Sequence, residues 1–169
     1  MNPWENNKWM QLYAEENIFR NGLRLHYDKG INDTLKLFFK SFISWLRHNY
    51  NFPVRINIYI KNKYNIKAKD GELVSATFFG PYNKLEEPYI KISVGDYYDI
   101  ANSKDVYCAL CSEIASAAHE LTHYYQWLNN MDLSEKQEER QAEYYSKKIV
   151  YDYLYECGYD YLDSLDIKY

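Results

Sequence analysis

The sequence of 169 residues predicts an α+β fold with N-terminal helices, a small sheet of three or four strands, and two C-terminal helices. Three observations predict it. Apolar residues recur at every third or fourth position between Thr34 and His48, which is the spacing of a helix with one buried face. Two later segments, 54–61 and 89–94, alternate apolar and polar residues as half-buried strands do. Residues 103–127 contain no glycine or proline, as expected of a long helix.

The N-terminal third is predicted to contain two helices. Residues 5–24 are expected to form the first helix, with Trp9, Leu12, Tyr13 and Phe19 on its buried side. Residues 30–33 then break the chain and supply an N-cap. The second helix, 34–48, is expected to bury six side chains: Leu35, Phe38, Phe39, Phe42, Trp45 and Leu46.

The middle of the chain is predicted to form the sheet. A strand at 54–61 is followed by a hairpin, because Asp70-Gly71 is a turn signal between the segments 65–69 and 72–79. Residues 80–83 break the chain again before the strand at 89–94. We find no internal repeat, low-complexity tract or linker, so residues 1–169 are interpreted as a single domain.

Composition excludes several classes of function. The net charge of −4 gives no global basic field, so we do not expect nucleic acid as a partner. A basic arm of Lys61, Lys63, Lys67 and Lys69 is interpreted as a solvated surface. The chain has no stretch of 18 apolar residues and no leader-like start, and its three cysteines are typical of a reducing compartment. We therefore expect a cytoplasmic protein without a membrane span.

The sequence His119-Glu120-x-x-His123 lies within the long helix predicted at 103–127. Residues four apart lie on one helical face, one turn from each other, so both imidazoles can bind one divalent ion. Glu120 projects toward the rim of the same site and could take a proton from water. The face that carries the histidines is otherwise small or polar, which leaves room for an ion and a substrate: Cys108, Ser112, Ala115, Ser116, Gln126 and Asn130.

A third ligand is expected from the next helix. Ser134 and Gln137 form a capping-box pattern, which predicts a helix over 135–156 that Gly158 ends. The first helix runs roughly 9 Å beyond His123, and the second rises roughly 6 Å before Glu139 at about 1.5 Å per residue. Two antiparallel helices therefore return Glu139 to the depth of the histidines. Helical-wheel angles do not separate Glu138 from Glu139.

These motifs resemble those of the zincin metallopeptidases. His119-Glu120-x-x-His123 followed by Glu139-Arg140-Gln141-Ala142-Glu143 is similar to the gluzincin branch, including compact members carried by phages and other mobile elements. The resemblance covers about 60 residues and implies a zincin-like fold. It implies that His119, His123 and Glu139 bind Zn²⁺. It also implies that Glu143, where the family usually has Asp, is a hydrogen-bonding partner of a ligating histidine. The strand at 89–94 would lie along the cleft and pair with an extended peptide; the alternative is an ordinary edge strand.

The expected function is zinc-dependent hydrolysis of peptide bonds in an intracellular protein, with Glu120 as the general base. The alternative is a catalytically silent zincin-fold module that binds or sequesters a host protein. Cys108 lies about 16 Å along the helix from His119, too far to share its ion, so the Cys108-x-x-Cys111 pair is interpreted as free thiols. The native metal, the residue that stabilises the oxyanion, the substrate and the oligomeric state are left open.

Overall fold

A computed structural model describes residues 1–12, 21–68, 71–83 and 86–169. Its architecture is α+β, as predicted, with a four-stranded mixed sheet and a separate two-stranded sheet. The helices are α1 (Lys8–Leu12), α2 (Asp33–Asn49), α3 (Tyr97–Ser103), α4 (Val106–Leu128), α5 (Glu135–Tyr153) and α6 (Tyr159–Ser164). The strands are β1 (Leu23–Tyr27), β2 (Ile56–Lys61), β3 (Ile66–Lys67), β4 (Leu73–Val74), β5 (Ala76–Phe79) and β6 (Tyr89–Ser93).

The main sheet has the order β1-β2-β6-β5. Strands β1, β2 and β6 are parallel, whereas β5 runs antiparallel to β6 with Phe78 opposite Ile90. The expectation that residues 89–94 pair with an extended peptide along the cleft is therefore wrong, and so is the alternative of an ordinary edge strand, because β6 is hydrogen-bonded on both sides. On this side of the sheet the edge strand is β5, which follows the hairpin directly, and β1 forms the other edge.

The predicted helix over 5–24 is also wrong in its C-terminal part, because residues 23 and 24 belong to β1. Gly22 has a φ of 106°, a conformation that favours glycine, and its backbone exchanges hydrogen bonds with Phe52 and Ile56 beside β2. This pairing is non-local and is not visible in the local sequence. Trp9 packs against the core. The described part of the chain does not include Tyr13, Phe19 or the side chain of Leu12.

Helix α2 is confirmed. The side-chain oxygen of Asn32 accepts a hydrogen bond of 3.1 Å from the backbone N–H of Leu35, so Asn32 is the N-cap. The helix connects two parallel strands, β1 and β2, as the crossover that such a pair requires. All six predicted apolar residues are buried: Leu35, Phe38, Phe39, Phe42, Trp45 and Leu46.

The predicted hairpin is confirmed by the antiparallel pair β3 and β4, in which Ile66 lies opposite Val74. Gly71 has a φ of 99° at the turn, whereas Asp70 lies outside the described residues. In the basic arm, Lys61 forms an ion pair of 3.1 Å with Asp28. Lys63 and Lys67 are exposed, and Lys69 lies outside the described part of the chain.

Helices α4 and α5 form the antiparallel pair that the sequence predicts, with two differences at their ends. Helix α4 begins at Val106, three residues later than predicted, because Asp105 accepts a hydrogen bond of 2.6 Å from the backbone N–H of Cys108. Helix α5 does not end before Gly158; it continues through a π-helical turn, Leu154–Gly158, into α6. Gly158 has helical φ, and a Cβ there would lie 2.9 Å from the Leu154 side chain, so close packing explains this glycine.

The hydrophobic core contains residues of α2, β1, β2, β6, α4 and α5. Helix α4 contacts α5 on one side and strands β5 and β6 on another. The apolar residues on the side of α4 opposite the histidines are half-buried at Tyr107 and buried at the rest: Leu110, Ile114, Ala117, Leu121, Tyr124, Tyr125 and Leu128. Among the described residues, no helix is both long and apolar enough to cross a membrane.

Candidate metal centre

His119 and His123 lie one turn apart on α4, and both rings face the same point. Their Nε2 atoms are 3.2 Å apart. The side chains are 27% and 16% exposed, so each ring is held largely within the protein while its Nε2 faces the cavity. Burial, and then the neighbouring His123, lowers the pKa of His119, which favours the neutral imidazole that a metal requires.

Glu139, near the start of α5, completes the cluster. One carboxylate oxygen lies 3.3 Å from Nε2 of His119, and the other lies 3.2 Å from Nε2 of His123. The structure thus selects Glu139 over Glu138, whose backbone carbonyl instead accepts a hydrogen bond from Gln126. Within the described residues, His119, His123 and Glu139 are the three side chains whose donor atoms are close enough together for one ion.

The contacts between these three side chains are close to the ligand spacing of a tetrahedral zinc site. With bonds of about 2.0–2.1 Å, neighbouring ligand atoms of such a site are about 3.3–3.4 Å apart. Here the two Nε2 atoms are 3.2 Å apart, and each lies 3.2 to 3.3 Å from a different oxygen of the Glu139 carboxylate. Two neutral ring nitrogens and one carboxylate are also donors that zinc binds well, and three protein ligands leave a fourth position free. Geometry and donor chemistry therefore both suit zinc.

Glu120 lies in the same cavity and is only 7% exposed. Burial raises the pKa of its carboxyl group to about 8, and the negative charge of Glu139 acts in the same direction. A hydrogen bond from the backbone N–H of Phe78, on β5, acts in the opposite direction. Glu120 is therefore positioned by the edge strand and has the raised proton affinity of a candidate general base.

The cavity around these residues has a volume of about 960 Å³. Helix α4 forms one wall, with the small side chains of Ser112, Ala115 and Ser116, as predicted from the helical wheel. The opposite wall is β5 together with Val74 and Ser75. The cluster thus lies at the base of an open cleft beside the exposed edge of a sheet.

Two other predicted features make no direct contact with this cluster. Glu143 is exposed, and its carboxylate pairs with Lys147 at 2.7 Å; among the described residues, neither histidine hydrogen-bonds to it. Cys108 and Cys111 are free thiols, as predicted, and so is Cys157. Burial raises the pKa of Cys111 to about 11, so this thiol is a poor nucleophile at neutral pH.

Sequence reasoning placed Gln126 on the cavity face of α4 but gave it no role. In the structure it is 3% exposed and contacts His123 and two residues of α5. The only local signal was its position three residues after His123, which puts two side chains of a helix within reach of each other. Its contacts with α5 depend on how two helices pack.

Comparisons of the chain with protein-family models, curated proteins and solved structures found no match. Its function must therefore be inferred from the donor atoms, burial and cavity described above. The convergence of His119, His123 and Glu139 beside the buried Glu120 is the strongest of these observations.

Proposed function

We propose that this chain is a zinc-dependent metallopeptidase with a zincin-like fold that hydrolyses peptide bonds of a protein substrate. The observation that carries the proposal is the convergence of two imidazole nitrogens and one carboxylate, with contacts of 3.2 to 3.3 Å, beside a buried glutamate. His119, His123 and Glu139 would hold the ion. The three free cysteines support a cytoplasmic location, where thiols stay reduced.

Glu120 supplies the acid–base chemistry. A zinc ion contributes Lewis acidity, which polarises a carbonyl group and makes water easier to deprotonate. Glu120 accepts a proton from the attacking water and then donates it to the leaving amine. Because Phe78 donates a hydrogen bond to this carboxylate, the acceptor stays in place through both transfers.

Strand β5 offers a backbone edge for an extended peptide. The carbonyl of Ser75 accepts a hydrogen bond of 2.7 Å from the N–H of Ser93, toward β6, whereas the N–H of Phe78 points to Glu120 in the cleft. In an antiparallel ladder this direction alternates from residue to residue, so the backbone groups of Ala76 also face the cleft. A substrate strand added there would pass over Glu120.

Glu120→Gln tests the proposal. The amide keeps the size of the side chain but cannot accept the proton, so we expect hydrolysis to fall by about 10²- to 10⁴-fold. Zinc content, measured by mass spectrometry of the purified protein, should stay close to one ion per chain because Glu120 is not a ligand. Hydrolysis would be followed by proteomic comparison of cells expressing each form.

Glu113→Gln is the matched control, since Glu113 is also a buried glutamate on α4 but does not line the cleft. It should keep both zinc and hydrolysis. Wild-type protein that takes up no zinc would overturn the proposal. A Glu120→Gln protein that retains the full biological effect would favour a zincin-fold module that binds its target without cleaving it.

A further inference from the structure

Gln126 makes three hydrogen bonds, one to His123 on its own helix and two to α5, and so connects the two helices of the cluster. Its side-chain oxygen lies 2.8 Å from Nδ1 of His123. Its side-chain nitrogen lies 3.1 Å from the backbone carbonyl of Glu138 and 2.9 Å from the side-chain oxygen of Gln141. The amide is almost completely buried, so these partners replace water.

The partners fix which way the amide points. A backbone carbonyl only accepts hydrogen bonds, so the group that faces Glu138 must be the NH₂ of Gln126. The oxygen of Gln126 therefore faces His123. An amide oxygen only accepts, so Nδ1 of His123 must carry the hydrogen. In the neutral ring, the lone pair is then on Nε2, the atom that faces His119 and Glu139.

The same amide also holds α5 in place. Within residues 135–142, the part of α5 that carries Glu139, only Ala142 is buried. Apolar packing therefore contributes little to the position of this segment. The bond from Gln126 to the carbonyl of Glu138 acts one residue before Glu139.

We propose that Gln126 is a positioning residue that sets the tautomer of His123 and places Glu139 opposite it. The part that concerns zinc rests on the proposed function; the tautomer does not. Gln126 thus takes the role that the family resemblance gave to Glu143. Among the described residues, His119 has no hydrogen-bond partner on Nδ1, so the two imidazoles are held differently.

The tautomer can be measured on metal-free protein by long-range ¹H–¹⁵N NMR of the imidazoles, at a pH where the rings are neutral. We expect His123 of the wild type to carry its hydrogen on Nδ1. Gln126→Leu removes the contacts with His123 and with α5, so His123 should become a mixture of tautomers. Gln126→Glu restores an acceptor for His123 and should restore the Nδ1–H form.

Zinc affinity, measured by chelator competition, should fall about 10- to 100-fold in Gln126→Leu, as for loss of other partners of ligating histidines. Gln126→Glu should lie between Gln126→Leu and the wild type, because it keeps the acceptor but loses the donor to α5. Gln141→Leu is the control: it leaves the contacts of Gln126 with His123 and Glu138, so the tautomer should not change.

A wild-type His123 with its hydrogen on Nε2 would overturn the proposal, even if Gln126→Leu did not fold. So would a Gln126→Leu protein with an unchanged tautomer. If the wild type shows the Nδ1–H form but binds no zinc, the metallopeptidase proposal fails while the role of Gln126 in orienting His123 stands.

Discussion

Helices α4 and α5 both contribute to the cluster, but the rest of the molecule holds them very differently. In α4, 13 of 23 residues are buried, whereas in α5 only 5 of 19 are. Polar side chains also tie α4 to its surroundings. The indole N–H of Trp4 donates to Thr122 at 2.9 Å, and the hydroxyl of Tyr124 donates to the carbonyl of Val54 at 2.7 Å.

The candidate ligands on the two helices differ in exposure in the same way. His123 is 16% exposed, whereas Glu139 is 59% exposed. The core therefore holds α4, which carries the two imidazoles, whereas the segment of α5 that carries the carboxylate depends on hydrogen bonds such as those of Gln126. We therefore expect zinc affinity to fall more when a histidine on α4 is replaced than when Glu139 is replaced. Water can take the place of an exposed ligand more easily than that of a buried one.

His123→Ala should have the largest effect. It removes the least exposed donor of the three and leaves two ligands, so we expect zinc affinity to fall by more than the roughly 100-fold typical of an indirect change. Chelator competition and metal analysis measure this. His26→Ala, which changes an exposed histidine on β1, should leave zinc binding unaltered. Equal losses in the two variants would contradict the assignment of His123.

Glu139→Gln should weaken zinc binding less than His123→Ala, by about 10- to 100-fold, because the amide oxygen is a weaker donor in the same place. Glu138→Gln is the control, since the contact of Glu138 with Gln126 uses its backbone carbonyl. It should change affinity by less than about threefold. If Glu138→Gln costs as much as Glu139→Gln, the geometry of the cluster is wrong.

Burial of α4 also places one ionisable side chain, Glu113, in an unfavourable environment. Glu113 is 3% exposed, and its Oε1 has no hydrogen-bond partner among the described residues. Burial, and then the charge of Asp96, raises its pKa from an ordinary value of 4.5 to about 8. The folded state thus favours the protonated form, and this contribution to stability is present below about pH 4.5 and lost as pH rises through 8.

Glu113→Gln removes this pH dependence. Between the two pKa values, the wild type should lose up to about 1.4 kcal/mol of unfolding free energy per pH unit relative to the variant. Denaturant unfolding at pH 5 and pH 9 measures the difference, and the variant should be the more stable of the two at pH 9. A constant difference between the two proteins across this range would mean that Glu113 is not buried as the structure places it.

The parts of this molecule that the sequence predicts are those that depend on local geometry. The spacing of His119 and His123 is a property of one helix, and the buried face of α2 follows from its own periodicity. Strand β1 and the edge position of β5 depend on partners distant in the chain. Local patterns do not contain that information, so they predict a helix at residues 23–24, where the structure has a strand.

The same limit applies within the site. The depth of Glu139 follows from the length of two helices and a loop, but its choice over Glu138 needs the rotation of α5 about its axis. The contacts of Gln126 need that rotation as well. At Gly158 the local signal is present but its interpretation is wrong. A glycine after a periodic segment is typical of a helix end, yet here it allows close packing against Leu154 inside a continuous helical segment.

Glu143→Gln should have the smallest effect, and it separates the family expectation from the structure most directly. Glu143 is on the exposed side of α5 and pairs with Lys147 at 2.7 Å. That pair lowers the pKa of Glu143, but both partners are in solvent, where charges are strongly screened. Zinc affinity should therefore stay within about threefold of the wild type. A loss as large as that of Gln126→Leu would mean that Glu143 reorients to hold a histidine when the ion binds, and that the less buried helix adapts to the site rather than being fixed beforehand.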